Sequence, residues 1–158
     1  MREHSTGYLD ELISMLAECS MFDMFTPQEL RTAAPYFHLD QIPAGNVLFR
    51  EGDAGNYMGI IHSGKVGVMK SDSNNKNVPV ALLTQNKTFG EMAVLDGERR
   101  SASCIAKSNC ALLVLSRESL DRMCEESPKI AAKVIRAVAV SLSRRLRVMD
   151  YRLANSLG

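Results

Sequence analysis

Gly90, Glu91 and Arg100 are the residues whose types and spacing best fit a chemical task, holding a small phosphorylated sugar. They lie in the stretch Phe89-Gly90-Glu91-Met92-Ala93-Val94-Leu95-Asp96-Gly97-Glu98-Arg99-Arg100-Ser101-Ala102-Ser103. Gly90 lacks a Cβ, so backbone amides beside it can approach a ligand closely. A short helical turn starting there would aim free N–H groups at an anion. Arg100 offers a planar fork of donors matching two phosphate oxygens, which an ammonium does less well. Glu91 can accept a hydrogen bond from a ribose hydroxyl, as acidic residues do in dinucleotide folds. Taken singly, each residue reads better as part of a glycine turn followed by solvated charges; it is the set together that points to the cradle.

The same stretch resembles the phosphate-binding cassette of the cyclic nucleotide-binding domain family, in its catabolite activator and cAMP-dependent kinase regulatory subunit types. That pattern runs Phe-Gly-Glu-aliphatic-Ala-aliphatic-aliphatic, a short loop, then Arg and two small residues, matched here by Phe89 to Leu95 and by Arg100, Ser101 and Ala102. The resemblance implies that Glu91 holds the ribose 2′-hydroxyl and that Arg100 pairs with the cyclic phosphate. It implies that Ser101 and the Gly90, Met92 and Ala93 amides complete the cradle. One departure is Arg99, where many members carry Pro. Two upstream blocks, Ala44 to Asp53 and Ile60 to Val68, also match what the family shows before its cassette, so the resemblance covers roughly residues 10 to 150. It implies an antiparallel β-roll of double-stranded β-helix type, an α+β fold flanked by helices. The ligand would be cAMP or cGMP, with no further cofactor.

Elements to position such a site are readable from the chain itself. Leu9, Leu12, Ile13 and Leu16 recur at helical spacing between Tyr8 and Cys19. Thr26-Pro27-Gln28-Glu29 is a capping box with Pro at the first helical position, predicting a short helix to about Tyr36. Short β-type runs follow at 46–50, 57–62, 65–70, 80–85, 101–107 and 111–115, broken by Gly, Asn and Asp, which suggests an antiparallel sandwich or barrel. Ser71 to Asn77 reads as a hairpin tip. Ser116 can cap a helix over 117–126, and Ser127-Pro128 starts another to about Leu153. The whole predicts a single domain over 1–158, with helices at 8–36, a β-roll at 37–116 and helices at 117–153.

In the last helix Ile135, Ala139, Leu142, Leu146, Met149 and Leu153 are spaced 4, 3, 4, 3 and 4 residues apart, a stripe suited to a homodimer seam or to packing on the chain's own barrel. The resemblance implies base contacts from this helix, with Ser141, Arg144, Arg145 and Met149 as candidates; a Thr-Ser pair of the catabolite activator type is absent.

Other chemistries fit less well. The net charge of +1 argues against bulk attraction to nucleic acid or membrane. No apolar run approaches the ~20 residues of a bilayer span, and no signal-peptide core opens the chain, so a cytoplasmic location is expected. Gly59 to Val66 falls one residue short of a P-loop and leads into a strand pattern. His4, His38 and His62 are too scattered for a metal site, and no catalytic constellation is present, so neither a metal nor an enzyme is expected. Cys19, Cys104, Cys110 and Cys124 lack Cys-x-x-Cys spacing and read as buried free thiols. Arg144, Arg145, Arg147 and Arg152 could suggest DNA binding, but only five residues follow Leu153, and no DNA-binding module is expected in this chain. The remaining expectations are a cyclic nucleotide sensor acting on a downstream protein, or a degenerate, ligand-free version that serves as a dimerisation or interaction module.

Overall fold

The computed structural model describes residues 2–157, with side-chain environments from residue 7 onward, so His4 lies outside the described side chains. Helices α1 (Arg2–Glu18) and α2 (Pro27–Ala33) precede eight strands. These are β1 (His38–Ile42), β2 (Val47–Phe49), β3 (Tyr57–Ser63), β4 (Val66–Ser71), β5 (Asn77–Leu83), β6 (Thr88–Phe89), β7 (Ser103–Ala106) and β8 (Cys110–Ser116). Helix α3 (Glu91–Asp96) interrupts the strands after β6, and α4 (Arg117–Glu126) and α5 (Pro128–Leu157) follow them.

The strands form two four-stranded sheets, ordered β1-β8-β3-β6 and β2-β7-β4-β5, with every pairing antiparallel. This is the expected β-roll with helices at both ends. Successive residues of a strand face opposite sides, so a strand buried on both faces feeds two cores. β3 and β8 do this. Met58, Ile60, Leu113 and Leu115 join Leu12, Leu16, Phe22, Leu30, Met123, Val134 and Val138 in the core under the helices. Ile61, Leu112 and Val114 instead join Phe49, Val66, Phe89, Cys104 and Ala106 between the sheets.

Local signals act as their chemistry requires. Thr26 accepts from the Glu29 amide at 3.2 Å while Glu29 Oε1 accepts from the Thr26 amide at 2.9 Å, completing the capping box. Ser116 caps α4 through the Ser119 amide at 3.0 Å.

Several boundaries differ from expectation. α1 begins at Arg2 rather than Tyr8, and α5 runs to Leu157 rather than Leu153. Strand β5 lies at 77–83 rather than 80–85, because the intervening turn is tight: Asp72 Oδ1 accepts from the Asn74 and Lys76 amides and Asn75 takes a positive φ of 60°. Strands β1 and β6 were not anticipated. β1 is an edge strand in which only Leu39 and Ile42 are half-buried, so it carries no alternating apolar signal, and β6 is two residues long. Cys19, Cys104 and Cys110 are buried, as expected, whereas Cys124 is exposed on α4.

α5 changes character along its length. Ala131, Val134 and Val138 are buried against the helical core, and Ile135 and Leu142 pack beside them. Lys133 pins this half to α2, donating to Glu29 Oε1 at 2.9 Å and to the Met24 carbonyl at 3.0 Å. From Leu146 onward the apolar residues Leu146, Val148, Met149, Tyr151, Leu153 and Leu157 are exposed. The stripe of small spacings is therefore split, its first half on the chain's own core and its second half on the surface.

Candidate functional site

Phe89 and Gly90 set the entrance to α3. Phe89 is buried between the sheets, lying against Gly59 so closely that a Cβ there would come within 2.3 Å of its ring. Gly90 takes φ +74°, a left-handed conformation that costs a residue with a side chain, and an added Cβ would sit 2.4 Å from Arg100 Nη1 and 3.0 Å from the Tyr57 carbonyl. Gly97 closes the same short helix with φ +73°. The chain thus enters and leaves α3 through two positions suited to glycine, and this turn carries Glu91 inward. Glu91, Ala93 and Val94 are buried while Met92 is exposed.

Arg100 is placed by the turn of residues 50–53. Its amide donates to the Asp53 carbonyl at 2.8 Å, and its carbonyl accepts from the Gly52 amide at 2.9 Å. The side chain runs into the roll and is only 3 % exposed. Nη1 donates to the Gly90 carbonyl at 3.0 Å and Nη2 to the Tyr57 carbonyl at 2.7 Å. The guanidinium carbon lies 3.8 Å from the Phe49 ring centroid and 4.8 Å from that of Tyr57. Desolvation pulls the Arg100 pKa down from its ordinary value, and burial pushes the Tyr57 phenol up. Cys104, buried nearby, is pushed up to about 12 by desolvation, so its thiol stays protonated.

Glu91 has a different partner. Arg145 Nη1 of α5 stands 2.6 Å from Glu91 Oε1, an ion-pair contact. Arg145 Nη2 donates to the Thr88 carbonyl at 2.7 Å and to Thr88 Oγ1 at 3.1 Å, and Thr88 Oγ1 lies 3.4 Å from Ser141 Oγ. Among the described residues, the buried side-chain polar atoms without a hydrogen-bond partner are Glu91 Oε1, Glu91 Oε2 and Arg100 Nε. Buried polar atoms are nearly always satisfied, so the unfilled capacity of one acidic and one basic residue on the same loop marks where an external donor and acceptor would fit.

The expected residues divide by position. Phe89, Gly90, Glu91, Ala93 and Arg100 come together inside the roll; Ser101 is exposed, its carbonyl accepting from Lys70 Nζ at 2.7 Å, and Ala102 is half-buried. Of the four helix candidates, Arg145 and Ser141 reach Glu91 and Thr88 in the cassette region, whereas Arg144 and Met149 are exposed and the Arg144 side chain makes no hydrogen bond among the described residues. Phe49, Tyr57 and Thr88 were not anticipated. In sequence they are ordinary strand residues, and nothing in their spacing connects them with Arg100 or Arg145. A cleft of about 380 Å³, lined by His38, Asp40, Asn46, Asn56 and Ser116, meets this site only at Tyr57, so unsatisfied charge rather than that cleft singles out the cassette. No group of three His, Cys, Asp or Glu able to hold a metal occurs among the described residues, and no described helix is long and apolar enough to cross a membrane.

With this roll, cassette and flanking helices, the chain belongs to the cyclic nucleotide-binding domain family, whose model matches residues 39–127, more than half its length. It is similar to the cyclic AMP receptor protein of Thermus thermophilus, with 34% identity over 133 residues, covering 84% of this chain and 60% of that protein. It is also similar to the cAMP-dependent protein kinase regulatory subunit of Aspergillus niger, 29% identical over 110 residues, which are 70% of this chain and 26% of the relative. The chain therefore spans three fifths or less of these two relatives. Among solved structures, a cyclic nucleotide-binding domain from Methylobacillus flagellatus KT superposes with a TM-score of 0.83 at 30% identity, covering 95% of this chain and 84% of that one.

Proposed function

We propose that this chain is a regulatory module that binds a cyclic nucleotide, cAMP first, and signals by repositioning α5. The observation that carries the reading is the pair Glu91 and Arg100, two buried opposite charges that do not neutralise each other and that retain unfilled hydrogen-bonding capacity. In this reading Arg100 faces the cyclic phosphate, with Ser101 and the amides at the start of α3 completing the cradle. Glu91 accepts from the ribose 2′-hydroxyl. The preference for cAMP over cGMP draws on the cyclic AMP receptor among the relatives.

Signal output follows from what holds Glu91. Arg145 belongs to α5, so a ribose that engages Glu91 changes the contacts of that helix. A ligand shifts a conformational equilibrium only through such differential contacts. The first half of α5 is fixed by Lys133 and buried apolar residues, leaving the half from Arg145 outward as the part to be redirected. Its exposed Leu146, Met149 and Leu153 suit a homodimer seam, and the changed surface would be read by a downstream protein in the cytoplasm.

Calorimetric titration of the purified chain with cAMP, cGMP and a cyclic dinucleotide tests this reading. Saturable binding of cAMP is expected to be the tightest of the three. Absence of heat with all of them would instead favour a ligand-free interaction module, in which Arg145 permanently occupies Glu91.

A further inference from the structure

A buried guanidinium is ordinarily matched by a carboxylate. Arg100 is not. Glu91 is paired with Arg145, and Asp53, the acidic residue whose backbone holds the Arg100 amide, turns its carboxylate to the Arg50 amide at 3.0 Å. What surrounds the Arg100 guanidinium is two main-chain carbonyls at its edge and two aromatic rings. Carbonyls and ring faces stabilise a cation electrostatically without neutralising it, so the full positive charge stays available to an incoming anion.

The rings are themselves held in place. Phe49 comes from β2 of one sheet and Tyr57 from β3 of the other; they meet edge to face with centroids 6.0 Å apart and planes at 75°. Phe49 also lies 6.0 Å from Phe89, the residue that leads into Gly90. Tyr57 adds a bond from its hydroxyl to the Leu48 carbonyl at 3.3 Å. One aromatic group thus connects both sheets, the start of the cassette and its arginine.

We infer that Phe49 and Tyr57 are positioning residues, an aromatic seat that holds the Arg100 guanidinium charged, oriented and free of a counter-ion for the ligand's phosphate. The inference rests on the cyclic nucleotide reading above. An aliphatic side chain of similar size would fill the space but lacks the ring's negative face. Phe49→Leu and Tyr57→Leu should each weaken cAMP binding about tenfold, within the range of a desolvated cation–π contact. Tyr57→Phe, which keeps the ring and loses only the hydroxyl, should stay within about twofold.

Two measurements on the full chain decide it. In heteronuclear NMR of the ligand-free protein, the Arg100 Nε–H signal, assigned by its loss in Arg100→Ala, should be shifted upfield by the Phe49 ring and should return toward its ordinary position in Phe49→Leu. An unshifted signal in the wild-type chain overturns the seat whatever the ligand does. In cAMP titrations followed by the same spectra, Phe49→Leu should cost about tenfold in the wild-type background and nothing further in Arg100→Ala. Equal losses in both backgrounds would show that Phe49 acts only as packing and would overturn the proposal. A wild-type chain with the shifted signal but no response to cAMP would overturn the nucleotide reading, and with it the ligand half of this inference, while the seat itself would stand on the shift.

Discussion

Glu91 takes its counter-charge from Arg145, 2.6 Å away on α5, and not from Arg100 on its own cassette. This separation gives each cassette charge a distinct environment. Arg100 lies on aromatic rings and carbonyls inside the roll, while Glu91 is bridged to the helix that leaves it. Arg145 is 36 % exposed at its side chain and Glu91 only 1 %, so the pair joins a solvent-reachable cation to a desolvated anion.

Removing Arg145 should therefore cost stability through what it leaves behind. Arg145→Ala strands the Glu91 carboxylate in the interior. A loss of about 1–3 kcal/mol is expected, below the cost of breaking a fully buried pair because Arg145 is partly solvated. Urea unfolding of Arg145→Ala, Glu91→Gln and the double variant checks this. The double variant should lose less than the sum of the two single changes, and strict additivity would mean that the pair is not coupled.

The ribose role of Glu91 makes a separate prediction. Replacing a charged acceptor with a neutral one in Glu91→Gln should weaken cAMP binding about fivefold while leaving its 2′-deoxy analogue nearly unchanged. Calorimetry with both ligands reads the difference. Equal losses would remove Glu91 from contact with the 2′-hydroxyl.

Assembly depends on the outer half of α5. Leu146 and Met149 are exposed, so charging them should leave the fold intact, whereas Leu142 packs against the chain's own core. Leu146→Asp combined with Met149→Asp should convert a dimer to a monomer in light scattering with little change in melting temperature. Unchanged dimer mass would place the subunit contact elsewhere.

The anchoring of α5 carries a pH signature. A hydrogen bond from Lys133, followed by one from the Thr26 amide, holds the Glu29 carboxyl below its ordinary value of 4.5. A carboxyl depressed in the folded state contributes stability above its unfolded pKa, and that contribution is lost as pH falls through the folded value. The melting-temperature gap between wild type and Lys133→Met should thus be full near neutrality and shrink as pH drops below 4.5. A gap that stays constant would mean that Lys133 acts not through Glu29 but through its ammonium over Phe25, whose ring centroid lies 4.9 Å from Nζ, and its bond to the Met24 carbonyl.

The cassette was readable in sequence because its requirements are local. Gly90 must adopt a positive φ, and Glu91 and Arg100 are linked to it by a short loop, so residue type and spacing carry the information. The helix starts at Thr26 and Ser116 were legible for the same reason, since a cap is made within three residues. What sequence did not disclose is contact across the fold. Phe49 and Tyr57 meet Arg100 only when the two sheets close, and Arg145 reaches Glu91, 54 positions earlier in the chain, only when α5 packs on the roll. Edge strand β1 escaped because its burial pattern lacks alternation.

The most direct test is calorimetric titration of cAMP into the wild-type chain and Arg100→Ala. Saturable binding to the wild type, weakened by about 30-fold or more in the variant, is the expected result, since removing one partner of a desolvated charge pair costs ~2–5 kcal/mol. Equal affinity in the two proteins would contradict the assignment of Arg100 to the cyclic phosphate.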